Sequence, residues 1–199
     1  MNHKFFHQSS NLLSWDEIFS ILATLSELNE VQSAREYGAK NIKPDITYTM
    51  MLLQLEDFPQ YKERIQSLYQ SLGIEEFKQQ KINNGYRPDC GIYMSIIPKA
   101  KSHGIHRDVT DVFHWQQQGK TTFTIYDDKP YTYVLNPGDC VFIPAGMYHN
   151  TLPLTARAGV SFAFFPDDYE GEWTEDYFKK KGINPPYYDP FPKNIFNLQ

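Results

Sequence analysis

The apolar positions change their period partway along the chain. In residues 14–29, SWDEIFSILATLSELN, Ile18, Ile21, Leu22, Leu25 and Leu28 recur at helical spacing. Ser14 followed by Glu17 makes a capping box, which sets the start of that helix. A second helix is predicted over 58–73, with Tyr61, Ile65 and Leu68 on one face and Gly73 as its stop. The stretch between them, DITYTMMLLQLED (45–57), has no clear period and reads as a strand.

From Gly91 onward the period is two. GIYMSIIP (91–98), DVFHWQQQ (111–118), KTTFTIYDD (120–128), YTYVLN (131–136), GDCVFIP (138–144) and ARAGVSFAFF (156–165) are short and rich in β-branched and aromatic residues. Each is bounded by Gly, Pro, Asn or Asp. Such closely spaced strands predict a mainly β chain built as an antiparallel barrel or sandwich. The organisation expected is one domain over 1–199. It has a mostly helical N-terminal cover (1–83), a β core (84–170) and an extended Pro- and Tyr-rich tail (171–199) laid over the surface.

Composition narrows the class. A chain of 199 residues is long enough to bury a core without metal or disulfide staples. Fourteen Tyr, fourteen Phe and three Trp point to a large aromatic core or a lined cavity. The net charge of −5, with no stripe of Lys and Arg, argues against a nucleic-acid partner. Cys90 and Cys140 are too few for a disulfide framework. No apolar run approaches the roughly 18 residues of a membrane span, and MNHKFFHQSS is not a signal-peptide pattern, so a cytoplasmic protein away from membranes is expected.

Six histidines carry the candidate chemistry. His3 and His7 fall in a terminus expected to fray and receive no role. His106 opens the run His106-Arg107-Asp108, in which a strand would project His106 and Asp108 to one face. One imidazole, one carboxylate and a distant second histidine form the ligand set that holds non-haem Fe(II) while leaving positions open. His-x-Asp taken alone reads first as a structural hydrogen-bonded pair. GDCVFIPAGMYH (138–149) supplies the distant histidine. Gly138-Asp139 turns the chain, CVFI runs as a strand, Pro144-Ala145-Gly146 bends it, and His149 begins the next leg aimed inward.

The spacing G-x5-P-x-G-x2-H over 138–149, preceded by GIHRD at 104–108, resembles the paired motifs of the cupin superfamily. Residues 92–166 look like the Jumonji C group of 2-oxoglutarate oxygenases, and most like its bacterial ribosomal-oxygenase branch. The shared pattern runs from an apolar strand through a Gly-containing loop to His-x-Asp. An aromatic strand with Gln, a Gly with a basic residue, L-x-P-G-D-x-x-x-I-P-x-G-x-x-H (135–149) and a final strand follow. The resemblance implies a double-stranded β-helix, the cupin or jelly-roll barrel, behind an N-terminal helical cover. It also implies Fe(II) held by His106, Asp108 and His149, with 2-oxoglutarate and O2 as cosubstrates. The first eighty or so residues carry none of it, and the chain is too short for the extra domains of the ribosomal enzymes.

The chain departs from that branch where the distal carboxylate of 2-oxoglutarate would need a cation. The matching position, two residues after Gly119, holds Thr121, and the adjacent Lys120 faces the other way along a regular strand. Arg157 is the substitute. It heads a face with Gly159, Ser161 and Ala163, small residues that leave room for a dianion, and its planar fork can meet a carboxylate at two points. Tyr93 and Thr121 are candidate hydroxyl donors to the same carboxylate, and His114, Ser161 and Lys120 complete the cosubstrate candidates. His103 and Arg107, beside the triad, are the candidate substrate contacts. Trp115 is expected to pack against the helices, Cys140 to be a buried small hydrophobe, and Asp111 to be a loop or strand-edge carboxylate.

The expected function is hydroxylation of an unactivated C–H in an amino acid, a peptide side chain or a small metabolite, with succinate and CO2 as coproducts. A metal cupin without 2-oxoglutarate, a dioxygenase or isomerase, is the first alternative. Many of those add a glutamate ligand after the first pair, where this chain has only the poorly spaced Asp111. A non-catalytic cupin-type binding module is the second. Barrels of the group it resembles often pair through their helical segments, so the resemblance allows a homodimer, which the sequence itself does not decide.

Overall fold

The computed structural model describes residues 3–34, 45–169 and 175–183. In order the elements are β1 (Lys4–His7), α1 (Trp15–Glu27), β2 (Val31–Ser33), β3 (Met50–Leu52), α2 (Lys62–Leu72) and α3 (Glu75–Asn83). They continue with β4 (Tyr86–Ser95), β5 (Val112–Gln118), β6 (Thr121–Tyr126), β7 (Pro130–Leu135), β8 (Asp139–Ile143), β9 (Tyr148–Pro153), β10 (Arg157–Pro166) and α4 (Glu175–Lys180). The capping box forms: Ser14 Oγ accepts from the Glu17 amide at 3.2 Å, and the Ser14 amide donates to Glu17 Oε2 at 2.8 Å. Gly73 ends α2 at φ +69°, a left-handed conformation that favours glycine.

Two antiparallel sheets result. One has seven strands in the order β1-β8-β5-β10-β4-β3-β2, the other three in the order β7-β6-β9. This is the mainly β, cupin-type arrangement expected, although no pairing closes the sheets into a continuous barrel among the described residues. The alternation along β10 decides which way the large sheet faces. Ala158, Val160, Phe162 and Phe164 are buried among Ile18, Ile21 and Leu25 of α1 and Ile65, Leu68 and Tyr69 of α2. Arg157 and Ser161 face the opposite way, into the space between the sheets. Full burial of a side chain such as Phe162 stabilises by about 1.5–3 kcal/mol, so a one-residue slip of β10 is strongly disfavoured. A smaller cluster of Phe123, Ile125, Leu135, Val141, Ile143 and Met147 joins the two sheets.

The first 83 residues hold more strand than the sequence pattern shows. Of the stretch 45–57 expected as a strand, only Met50–Leu52 (β3) is one and Leu55–Asp57 forms a 3-10 turn, while β1 and β2 are additional. β1 overturns the expectation of a frayed terminus, because it pairs with β8 in the register Lys4↔Phe142 to His7↔Asp139. His7 Nδ1 lies 2.8 Å from Asp139 Oδ1, and His3 bridges Asp127 and the Tyr133 hydroxyl at 2.9 Å each. These histidines pin β1 to the sheets. In the segment expected to be wholly extended, α4 is helical. Phe178 packs there with Val109 and Tyr169, and Lys179 and Lys180 suit the carbonyl end of its last turn. Residues 184–199, which carry most of the expected tail, lie outside the described residues.

Candidate metal centre and cosubstrate pocket

His106 and Asp108 are not on a strand. They sit in an extended loop held by an isolated antiparallel bridge between His106 and His149, the second residue of β9. The bridge does what a strand was expected to do and brings three side chains together. His106, Asp108 and His149 offer ligand atoms that all lie within 4.8 Å of one another. Nε2 of His106 is 3.8 Å from one Asp108 oxygen, and Nε2 of His149 is 3.5 Å from the other. Two adjacent ligands at about 2.1 Å from one ion stand about 3 Å apart, so these gaps are close to what one ion requires.

Hydrogen bonding settles which nitrogen faces the cluster. Nδ1 of His106 lies 3.0 Å from the Gly104 carbonyl, and Nδ1 of His149 lies 3.0 Å from the Met147 carbonyl. A carbonyl only accepts, so in each ring Nδ1 carries a proton and Nε2 is the nitrogen turned to the cluster. Metal-bound histidines are typically held by such a bond from the other ring nitrogen. Burial also lowers the His149 pKa to about 4, with the neighbouring His106 acting in the same direction, so its ring is neutral at pH 7. Phe123 stacks on it at 5.6 Å and limits its rotation. The donor set, its tautomers and its spacing fit a divalent metal ion.

The cluster opens into a cavity of about 430 Å³ between the sheets, a size suited to a small ligand. Of the residues singled out by sequence, Arg157, Tyr93, His114, Ser161, His103 and Arg107 line it. Two others do not. The Thr121 hydroxyl is buried against the Leu152 carbonyl at 3.1 Å, and Lys120 is exposed at the β5–β6 turn. Neither therefore stands as a cosubstrate residue, although Lys120 faces outward as its position along the strand implied. Thr121 shares the buried face of β6 with Phe123, which does line the cavity, but it stands at the β5–β6 end of the strand, where the Leu152 carbonyl takes its hydroxyl.

Arg157 is fully buried, and burial lowers its pKa to about 10, which still leaves it cationic at pH 7. One Nη donates to the Tyr93 carbonyl at 3.1 Å, while Nε has no partner. A buried cation with an unused donor is costly unless an anion completes it. His114 repeats the pattern. Nδ1 meets Ser161 Oγ at 2.8 Å, Nε2 is buried without a partner, and burial together with the Arg157 charge depresses its pKa to about 3. His114 has room only because residue 159 is glycine; a Cβ there would lie 2.5 Å from its ring. Arg107, expected beside the substrate, is buried with its guanidinium 3.9 Å from the Phe178 ring centroid and 5.4 Å from that of Tyr148. His103 stands 5.1 Å from His106, ring to ring, and burial lowers its pKa to about 4.

Asp89 was not singled out from the sequence. It shares the inward face of β4 with Gly91 and Tyr93 and lines the cavity. Alternation along β4, counted back from Tyr93, would have found it.

No family model matches the sequence, and no curated protein does. Solved structures do match. The crystal structure of the Escherichia coli ribosomal oxygenase YcfD aligns with a TM-score of 0.60 at 19% identity, over 96% of this chain and 56% of that one. The two share a fold. YcfD in complex with cobalt and 2-oxoglutarate aligns over all of this chain at a TM-score of 0.59 and 18% identity. Its complex with cobalt and succinic acid gives 0.58 at 17%. This chain spans 56–58% of the length of YcfD in these alignments. The resemblance read in residues 92–166 therefore extends, as fold, across nearly the whole chain. No described helix is long and apolar enough to cross a membrane.

Proposed function

We propose that this protein is an Fe(II)- and 2-oxoglutarate-dependent oxygenase that hydroxylates a C–H bond of an amino acid, a peptide side chain or a small metabolite. One observation carries the reading. A two-histidine, one-carboxylate cluster and a buried arginine with an unused donor line the same cavity. A metal cupin that handles no dicarboxylate has no need of that buried cation. The likeness to YcfD, whose structures include complexes with cobalt and 2-oxoglutarate, supports the fold-level part of the reading.

His106 Nε2, Asp108 and His149 Nε2 would hold the iron. Bound there, Fe(II) supplies the activation of O2 that couples oxidative decarboxylation of 2-oxoglutarate, to succinate and CO2, to hydroxylation of the substrate. The chain supplies everything else. Gly104 and Met147 carbonyls keep both imidazoles in the tautomer that ligates. The Arg157 fork, with the His114–Ser161 pair beside it, takes the distal carboxylate and so fixes the orientation of the cosubstrate. Phe123, Val112, Ile143 and Phe165 give the cavity apolar wall, which excludes water from the reacting centre.

The test is turnover in air. Purified protein with Fe(II) and 2-oxoglutarate should form succinate at a slow basal rate, and His149→Ala should abolish it. Succinate formation that is absent in the wild type, or unchanged in the variant, contradicts the reading.

A further inference from the structure

We infer that Asp111 is a positioning residue for the metal centre: its carboxylate, held by Lys81 of α3, latches the bend that presents His149. The inference rests on the metal-centre reading above. The bend at Pro144–Met147, between β8 and β9, has to set His149 against His106 and Asp108. Three hydrogen bonds joining this region to the loop over 104–111 are purely backbone. They run from the His106 amide to the His149 carbonyl (3.0 Å), from the His149 amide to the His106 carbonyl (2.8 Å) and from the Gly146 amide to the Asp108 carbonyl (2.8 Å). A further bond is encoded by a side chain: the Ala145 amide donates to Asp111 Oδ1 at 3.0 Å.

The other Asp111 oxygen is equally committed. Oδ2 lies 2.6 Å from Lys81 Nζ, and the two side chains are only 19% and 20% exposed. Lys81 in turn lies over the Tyr86 and Phe77 rings, at 4.5 and 5.4 Å, so its ammonium is confined. A carboxylate already neutralised by an ammonium is a poor metal ligand, and the ligand atoms that converge are those of His106, Asp108 and His149. Asp111 is therefore no fourth ligand.

Its place is one step out. Phe77, one turn before Lys81, packs edge-on against Phe113, Phe142 and Phe164 on the outer face of the large sheet. The chain of contacts from α3 through Lys81 and Asp111 to Ala145 thus ties the ligand-bearing bend to the helical layer. Groups that orient a ligand from outside typically change metal affinity by about 10–100-fold when removed.

Cobalt(II) uptake by the whole chain tests this, read as Kd and as the visible spectrum of the bound ion. Asp111→Ala should bind cobalt about tenfold or more weakly and with an altered spectrum. Asp111→Asn keeps an oxygen for the Ala145 amide and should retain clearly more affinity than Asp111→Ala, and Lys81→Met, which frees the carboxylate from α3, should fall between Asp111→Ala and the wild type. Asp111→Ala with wild-type affinity and spectrum overturns the inference, even with a lowered Tm. Asp111→Asn as weak as Asp111→Ala also overturns it. If Asp111→Ala does not fold, the wild type still decides. Coupling is reciprocal, so bound cobalt should slow hydrogen exchange at the Ala145 amide, and unchanged exchange overturns the latch. A wild type that takes up no cobalt overturns the metal centre and the latch together, whereas the other adverse results leave the metal centre standing.

Discussion

His106 and His149 are bound to each other twice through their backbones, His106 amide to His149 carbonyl at 3.0 Å and the reverse at 2.8 Å, and their rings lie 4.3 Å apart. The pairing joins a loop to a strand that lies far along the sequence, through main-chain bonds that replacing either imidazole leaves in place. Replacing one imidazole should therefore delete a ligand while the rest of the cluster stays in position. His149→Ala should lose cobalt affinity by about 100-fold or more, beyond the range typical of outer partners, with secondary structure unchanged. Isothermal titration paired with circular dichroism checks this.

Arg157 separates cosubstrate binding from metal binding. Its guanidinium lines the cavity but is not among the three residues whose ligand atoms converge. Arg157→Ala should weaken 2-oxoglutarate binding by about 10–100-fold, the worth of a charge-assisted hydrogen-bond pair, and leave cobalt affinity nearly intact. Arg157→Lys keeps the charge but not the fork and should recover only part of the loss. Equal 2-oxoglutarate affinity in Arg157→Ala would refute the assignment.

Gly159 is where the pocket is most sensitive to volume. An added Cβ would meet His114 Cε1 and Nε2 at 2.5 Å, and that ring is tied to Ser161. Gly159→Ala should lower stability by about 1–3 kcal/mol through overpacking and weaken 2-oxoglutarate more than cobalt. Thermal melts and titrations on the same sample measure both.

Asp89 should make stability fall as pH rises. Burial in the cavity wall, with Glu56 and Asp57 nearby, pushes its pKa up to about 6, against the opposing Gln54 amide and Arg87. A raised carboxyl pKa means that the folded state holds the proton more tightly than the unfolded chain. That contribution is complete below about pH 4 and is lost as pH rises through about 6. Asp89→Asn keeps an oxygen for the Gln54 amide, which donates to Asp89 at 3.0 Å. Its Tm should match the wild type at about pH 4 and exceed it above about pH 6. Parallel pH–Tm curves for the two proteins would contradict this.

Much of the architecture was legible because it rests on local patterning. The capping box at Ser14 and Glu17, the stop at Gly73 and the two faces of β10 all follow from short-range periodicity, and each forms as read. The cluster of His106, Asp108 and His149 was legible from motif spacing, although the means differed: a loop and one bridge do the work assigned to a strand. What escaped was long-range pairing. Nothing local to MNHKFFH marks Lys4–His7 as a strand, since its partner β8 is remote in sequence. Thr121 was misplaced because its hydroxyl goes to the Leu152 carbonyl of β9, a partner remote in sequence, whereas Lys120 faces outward as the alternation implied. Asp111 escaped because its meaning lies in Lys81 and Ala145, neither of which is near it in sequence.

The most direct test of the oxygenase reading is an anaerobic titration with Fe(II), with and without 2-oxoglutarate, followed in the visible range. A weak charge-transfer band should appear only when both are present, and it should be lost in His149→Ala. A wild-type protein that binds iron but shows no band at saturating 2-oxoglutarate would contradict it.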